Sequence, residues 1–326
     1  MNSTSHTRLE VMQTIELSMP ALLDKYLLDI EENWQPADFL PDSANPDFYE
    51  EVQELQALAQ EIPYDLFATL IGDTITEEAL PTYESWLMSV QGVDQENKVG
   101  WTQWVRAWTA EENRHGDLLN KYLYLSGRVN MREMEVSTQH LLNDGFDIET
   151  STDPYRNFIY TSFQELATNL SHRRVASQVA RLGNKRLAKM CGVVASDEMR
   201  HAKAYIDFVQ RIFEFDPSQA MLAFEDMMRK KIVMPAHLLR ESGGEIGDLF
   251  THFSDSAQRA MVYTTHDYID ILQSLLERWK IDSIRELDES AERARDYLMS
   301  LPKRLARISS RIKIPEAVHS FKWIRA

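Results

Sequence analysis

One metal-ligand pattern occurs twice in this chain of 326 residues and restricts its fold more than any other feature. The segments ENRH (112–115) and EMRH (198–201) each place a Glu and a His three residues apart, in sequence that favours helix. On an α-helix, two such side chains leave the same face about one turn apart, so a carboxylate and an imidazole can bind one ion together. Two such pairs predict two metal ions held between helices.

A helical bundle that holds two ions also needs one Glu from each of two further helices. Glu77 or Glu78 precedes the first pair, and Glu165 lies between the two pairs. The order Glu, Glu-x-x-His, Glu, Glu-x-x-His is typical of a ferritin-like di-iron bundle. A third pair, Glu316 and His319, has no partner Glu on a preceding helix, so we interpret it as accidental.

The composition favours an all-α chain, because only 11 residues are Gly and long stretches are rich in Ala, Leu, Glu, Lys, Arg and Met. No Pro-, Gly- or Ser-rich linker divides the chain. We therefore expect a single domain over residues 1–326, with the four-helix core at about 63–213 and additional peripheral helices around it.

The apolar periodicity predicts helices at 8–32, 47–60, 63–91, 100–126, 129–142, 155–182, 184–213, 255–278 and 286–306. Pro81 lies one turn after Glu77, so we expect a kink in the helix over 63–91. Residues 312–314 are predicted to be part of a short strand.

Charge and cysteine content restrict the function. The net charge of −16 argues against nonspecific binding of nucleic acid, which depends on Lys and Arg. Acidic proteins could dock on a basic run, either at 229–231 or at Lys303, Arg304, Arg307 and Arg311, although a solvated helix face is an equal interpretation. The single cysteine, Cys191, excludes a disulfide framework and a thiolate cluster.

No run of about 18 apolar residues and no secretory signal are present. We therefore expect a soluble protein that is retained in the cell and is not inserted in a membrane.

Four carboxylates in a bundle core would be strongly unfavourable without cations. Two Fe(II) ions would balance four ionised Glu side chains, and iron, which suits carboxylate and imidazole ligands, also activates O2. By pseudo-symmetry, Glu111 and Asp197, which directly precede the two pairs, are predicted to support the metal-binding histidines across the site. Thr168 follows Glu165 by one turn and could bond bound oxygen or shuttle a proton. His172, one further turn along, could support a metal ligand or be an ordinary core histidine, and the second interpretation is favoured.

Around these residues the chain resembles the soluble acyl-[acyl-carrier-protein] desaturases of the plant stearoyl type. The similarity is carried by WQPADFLP (34–41), GDTITEEALPTY (72–83), the segment 106–128, FIYTSFQE (158–165) and MMRKK (227–231). It implies an enzyme of fatty acid biosynthesis that uses reduced ferredoxin and O2. The reaction would insert a cis double bond, at the delta-9 position, into a palmitoyl or stearoyl chain carried on acyl carrier protein.

The resemblance also implies roles for single residues. In the family's Thr-Glu-Glu motif the first Glu binds metal, which points to Glu77. The two irons would be bridged by Glu112 and Glu198, and the remaining ligands would be Glu77, Glu165, His115 and His201. Trp34 matches a tryptophan on the electron route toward the first His, and Thr168 matches a threonine on the oxygen side.

The deep end of the family's substrate tunnel corresponds to Trp86, Ser89, Val90, Ile148 and Asn157. Trp86, Ile148 and Asn157 look bulkier than their counterparts, which predicts a palmitoyl or shorter substrate. The family forms homodimers. A plant transit peptide is not visible, so the expected location is the bacterial cytoplasm or, for a mature form, the plastid stroma.

Two other functions stay open on the residues alone. A ferritin-like ferroxidase or iron store would use a similar ligand set, but in a shorter bundle without the long C-terminal part. A metal-free helical scaffold that binds carrier proteins would keep its fold without iron.

Overall fold

In the computed structural model of the protein, which describes residues 7–325, thirteen α-helices and three short 3-10 helices follow one another. The α-helices are α1 Arg8–Glu16, α2 Met19–Tyr26, α3 Phe48–Gln60, α4 Tyr64–Glu77, α5 Leu80–Met88, α6 Trp101–Leu125, α7 Met131–Asp144, α8 Pro154–Arg181, α9 Lys185–Phe215, α10 Pro217–Lys230, α11 Phe250–Arg259, α12 Thr265–Arg278 and α13 Glu289–Ser309. The 3-10 helices are Pro36–Asp38, Pro235–Leu238 and Ile281–Ser283.

Helices α4, α6, α8 and α9 form the centre of the molecule. The last three have 25, 28 and 31 residues, so they run through the whole core. α8 and α9 are antiparallel because only residues 182–184 connect them. Gly183 ends α8 with a φ of 85°, and the Asn184 side chain accepts a hydrogen bond from the Leu187 N–H at the start of α9.

The N-terminal helix that was predicted at 8–32 is two short helices. α1 ends at Glu16, and α2 begins at Met19 with Pro20 in its first turn, where the missing proline N–H costs no helical hydrogen bond. α2 ends at Tyr26, so residues 27–32 are not helical. Their turns lead to the 3-10 helix at Pro36–Asp38, next to the bundle.

Three other element predictions are corrected. The segment 63–91 is broken rather than kinked: α4 ends at Glu77, and Pro81 lies in the first turn of α5. The segment 255–278 is also two helices, separated near Met261, whose φ is 55°. Residues 312–314 form no strand; the one β-bridge within residues 7–325 joins Val129 to Ile324.

One continuous core of buried hydrophobic side chains extends from Val11 in α1 to Trp323 near the C-terminus. Within residues 7–325, no helix has both the length and the apolar content that crossing a bilayer requires.

The contact between α4 and α11 leaves no space for a side chain at Gly72. A Cβ atom there would lie 2.1 Å from Phe253 Cε2, and Phe253 is itself buried. We expect Gly72→Ala to lower the free energy of unfolding by about 1–3 kcal/mol, because the core must be overpacked.

Gly192 in α9 is the matched control, since nothing lies within 4 Å of its added Cβ. Gly192→Ala should raise the free energy of unfolding by about 0.5–1 kcal/mol through helix propensity alone. Urea denaturation of both variants tests the pair, and equal effects of the two substitutions would contradict the close α4–α11 contact.

Candidate metal centre

Four core helices, α4, α6, α8 and α9, place the six predicted ligands in one buried cluster. Glu77 is the last residue of α4, and Glu165 lies near the middle of α8. The two Glu-x-x-His pairs lie on α6 and α9. The ligand atoms form two groups, each within 4.8 Å, which could each hold a metal ion: Glu77, Glu112, His115 and Glu198; and Glu112, Glu165, Glu198 and His201.

Glu112 and Glu198 belong to both groups. Glu112 directs one oxygen at each histidine, with Oε2 3.3 Å from His115 Nδ1 and Oε1 2.5 Å from His201 Nδ1. Glu198 Oε1 lies 3.3 Å from His115 Nδ1. Its other oxygen, Oε2, accepts a 2.6 Å hydrogen bond from the Thr168 hydroxyl. The two shared carboxylates therefore lie between the positions that two ions would take.

The cluster contains buried polar atoms that form no well-oriented hydrogen bond, although some of them lie 2.5–3.3 Å from one another. Within the described chain these include Glu112 Oε1, His115 Nδ1, Glu165 Oε2, Glu198 Oε1 and His201 Nδ1. Such atoms are costly to bury unless something binds them. Carboxylate oxygens and imidazole nitrogens suit Fe, Mn or Zn, so the residues fit a pair of divalent cations.

The Nε2 atom of each histidine, on the side away from the cluster, contacts the acidic residue that directly precedes the Glu-x-x-His pair on the opposite helix. His201 Nε2 lies 2.8 Å from Glu111 Oε2, and His115 Nε2 lies 3.4 Å from Asp197 Oδ2. A proton on Nε2 can be donated to these carboxylates, which leaves the Nδ1 lone pair directed into the cluster. The predicted positions of Glu111 and Asp197 across the site agree with this crosswise arrangement.

The sequence analysis missed the arginines that hold these two acids. Arg200 Nη2 lies 2.8 Å from Glu111 Oε2 and 2.6 Å from Asp197 Oδ1. Arg114 Nη2 lies 3.2 Å from Asp197 Oδ2. Burial raises the pKa of Asp197, but hydrogen bonding to His115 and the nearby charges hold it well below its usual value. An Arg directly before the His in both motifs was the available signal.

Trp34 extends this network toward the surface. Its indole Nε1 donates to Asp197 Oδ2 at 3.0 Å, and its ring is nearly parallel to that of His115, with centroids 6.1 Å apart. The Arg114 guanidinium lies 4.5 Å from the indole centroid. Trp34 is half-buried, so the network connects an accessible side chain to the cluster.

The two outer carboxylates have different neighbours. His172 Nε2 lies 2.8 Å from Glu77 Oε1, which agrees with the less favoured of the two interpretations, a histidine that supports a metal ligand. Trp108, which the sequence analysis missed, donates from Nε1 to Glu165 Oε1 at 3.1 Å. It lies one helical turn before Glu112 on α6, a spacing that could have identified it.

Because their neighbours differ, the carboxylates of Glu77 and Glu165 have pKa values that shift in opposite directions. Burial raises the pKa of Glu77, but hydrogen bonds with His115 and His172 outweigh burial and bring that pKa to about 2. Burial also raises the pKa of Glu165, and the charges of Glu112 and Glu198 raise it further, well above its usual value. The hydrogen bond from the Trp108 indole offsets the effect of burial on the Glu165 pKa much less than the two histidines offset it at Glu77.

The five predicted tunnel residues lie in different surroundings. The Trp86 ring packs against Tyr83, Phe146 and Tyr160, with centroids 5.5, 6.0 and 5.8 Å away, and it lines an open cavity of about 670 Å³. Val90 and Ile148 are buried. Asn157 is also buried, and its amide forms hydrogen bonds with the loop at 150–153. Ser89 is exposed.

The position of Ser89 differs from the one that the sequence predicted. Its hydroxyl donates to the Trp86 carbonyl at the end of α5, on the surface of the molecule. The prediction that Ser89 lines the buried end of a tunnel is therefore wrong in this structure, because the side chain is directed to a local backbone group rather than to the interior.

Comparisons with known proteins agree with this architecture. A stearoyl-[acyl-carrier-protein] 9-desaturase of Ricinus communis is 49% identical over 97% of this chain and 81% of that protein. A palmitoyl-[acyl-carrier-protein] 4-desaturase of Ophrys sphegodes is 47% identical over 93% of this chain and 77% of that protein.

The X-ray structure of the protein DesA2 from Mycobacterium tuberculosis matches with a TM-score of 0.54 and 17% identity, over 87% of this chain and 98% of that one. This likeness confirms the predicted fold, an all-α ferritin-like bundle with peripheral helices. The model of the fatty acid desaturase family matches residues 7–325. The chain therefore belongs to the fatty acid desaturase family.

Proposed function

We propose that this protein is an acyl-[acyl-carrier-protein] desaturase. It removes one hydrogen from each of two adjacent methylenes of a saturated acyl chain and leaves a cis double bond. O2 is the oxidant, and two electrons from ferredoxin and two protons complete its reduction to two molecules of water. The observation that carries the proposal is the pair of ligand groups that share Glu112 and Glu198 inside a buried bundle of a desaturase-family chain.

In this proposal two iron ions are held by the shared Glu112 and Glu198 together with Glu77, His115, Glu165 and His201. When bound, the iron pair supplies the activation of O2. Support comes from the five ligand atoms that form no well-oriented hydrogen bond and from the tautomer that Glu111 and Asp197 favour at the two histidines.

Thr168 is proposed to handle a proton beside the centre. Its hydroxyl lies 3.2 Å from the Gln164 and Glu165 carbonyls and 2.6 Å from Glu198 Oε2. If the Glu198 carboxylate turns both oxygens toward metal, the hydroxyl loses this acceptor and becomes free to donate into the same space. Thr168 would then act as a proton donor at the point where O2 is reduced.

Electrons are proposed to enter through Trp34. The indole, the Asp197 carboxylate and the His115 ring form one hydrogen-bonded line from an accessible side chain to the cluster. The Arg114 guanidinium over the indole face is placed to hold the ring in this orientation. Reduced ferredoxin would dock near Trp34 in this proposal.

The acyl chain is proposed to be delta-9 desaturated, with palmitoyl or shorter chains preferred over stearoyl. The aromatic group of Tyr83, Trp86, Phe146 and Tyr160 supports a short tunnel, because bulky rings fill space that a longer chain would need. We also propose a homodimer that works in the cytoplasm or the plastid stroma; relatives of this chain are described as chloroplastic.

The test is product analysis by mass spectrometry, with iron-loaded protein, ferredoxin, its reductase, O2 and saturated acyl carrier proteins from C14 to C18. A monounsaturated product, with the palmitoyl chain converted faster than the stearoyl chain, is the expected result. If no chain gives a product although the iron is bound and reducible, the proposal is wrong and an iron-oxidising or iron-storing role is favoured.

Trp86→Ala tests the chain-length part of the proposal. Removing the indole should open space and shift the palmitoyl-to-stearoyl rate ratio roughly tenfold toward stearoyl, since one or two methylenes in an apolar pocket change rates by such factors. Ser89→Ala is the control, because the exposed Ser89 hydroxyl bonds only to the α5 backbone. An unchanged ratio in Trp86→Ala would show that the indole does not limit chain length.

A further inference from the structure

The end of α13 and the segment after it form a basic surface on an acidic protein. Residues 297–315 contain no Asp or Glu, although the chain as a whole has a net charge of −16. Five cationic side chains lie in this segment, and all five are exposed: Lys303, Arg304, Arg307, Arg311 and Lys313. We call this set of five side chains the α13 basic surface.

These five cations have no carboxylate partner in the part of the chain that the structure describes. Arg293, about three turns before Lys303 on the same helix, does pair with Glu289, and Arg229 at the end of α10 pairs with Glu225. In a chain with 51 acidic and 35 basic residues, this group of cations forms a local positive region that can attract an external anion.

Apolar side chains alternate with these cations. Ile308, Ile312 and Ile314 expose 61%, 51% and 39% of their surface. On α13, Arg304 lies one helical turn before Ile308, so charge and apolar surface share one face there. A partner that fits must therefore offer carboxylates together with a small apolar area.

The tertiary structure extends this surface to α10. The Arg229 guanidinium lies 3.9 Å from the centroid of the Tyr297 ring, and the Arg304 guanidinium lies 5.5 Å from the same ring. Tyr297 thus joins Arg229 to Arg304 on the α13 basic surface, although about seventy residues separate the two arginines in the chain and Arg229 also pairs with Glu225. Rings between guanidinium groups hold the positive charges at defined places, which suits carboxylates on a folded protein.

We propose that this surface docks an acidic protein, and that in the proposed reaction this protein is the acyl carrier. The inference rests on the proposed function. A carrier must bind and leave in every turnover, and unpaired surface cations favour fast, salt-sensitive association. A second copy of the chain fits poorly, because a two-fold axis would place the same five cations against each other.

The experiment measures the affinity of carrier protein without an acyl chain, so that tunnel contacts do not contribute. Arg307→Glu should weaken binding about tenfold, and Arg304→Glu combined with Arg307→Glu and Arg311→Glu should weaken it about 100-fold or more. Salt should weaken the wild-type complex more than that of the triple variant. Arg293→Glu, on the same helix, is the matched control and should stay within about twofold of wild type.

Several results would overturn the docking proposal. These are wild-type affinity in the triple variant, no detectable binding of the carrier by the wild type, and loss of dimer in the triple variant with carrier affinity unchanged. Charge-dependent binding to phosphatidylglycerol vesicles with unchanged carrier affinity would identify a membrane site instead. Because product formation is assayed separately, failure of this surface is distinguishable from failure of the desaturase function.

Discussion

Glu198→Gln is expected to reduce bound iron from two ions per chain to one or fewer and to lower desaturation by more than about 100-fold. Glu198 belongs to both ligand groups, so its loss weakens both positions at once. The amide keeps the volume of the side chain and can still accept the Thr168 hydrogen bond, but it carries no negative charge. Iron content by elemental analysis and product formation are the measurements.

Thermal unfolding separates metal binding from a general loss of structure. Burial and the charges of Glu112 and Glu77 raise the pKa of Glu198, so its carboxylate is unfavourable in the metal-free protein. The metal-free variant should therefore unfold at the same or a higher temperature than metal-free wild type, while its stabilisation by added Fe(II) or Mn(II) should be much smaller. Glu198→Ala should lose iron and activity in the same way.

Glu78→Gln is the matched control. Glu78 follows Glu77 directly, but its oxygens accept hydrogen bonds from Asn120 and Thr138 and do not lie in the ligand cluster. We expect this variant to bind two ions. Full iron content in Glu198→Gln, or loss of iron in Glu78→Gln, would refute the proposed ligand set.

Metal affinity is expected to rise steeply with pH. Burial lowers the pKa of the two imidazoles, but the Glu112 charge and hydrogen bonds to the surrounding carboxylates together outweigh it, so the pKa of His115 is well above its usual value and that of His201 is about 9. Glu165 also has a raised pKa, because of burial and neighbouring carboxylates. The metal-free protein therefore holds protons that must leave before the ligands can bind metal.

Raising the pH removes these protons and favours metal binding, whereas lowering the pH restores them and favours metal release. If each ion displaces a net single proton, the affinity for Mn(II) or Zn(II) should increase about 100-fold between about pH 6 and pH 8. Calorimetric titration in two buffers with different ionisation enthalpies counts the protons released. An affinity independent of pH would show that the ligands are already deprotonated in the metal-free protein.

Much of the fold could be predicted because helical periodicity is local. The long helices α6, α8 and α9 lie close to the segments that apolar spacing indicated. The errors occurred where proline or a left-handed residue breaks a helix, as at Pro81 and Met261, since an apolar pattern continues across such a break. The strand predicted at 312–314 failed for a related reason: β-branched residues favour a strand only where a partner strand exists.

The sequence by itself determined which side chains share one helix face, because the i, i+3 spacing places Glu112 beside His115 and Glu198 beside His201. Only the tertiary structure decided which faces meet. The approach of His172 to Glu77 and the meeting of Arg229 with the α13 basic surface at Tyr297 both join residues far apart in the chain. Spacing along a helix follows from backbone geometry, whereas such contacts depend on how whole helices pack around a common core.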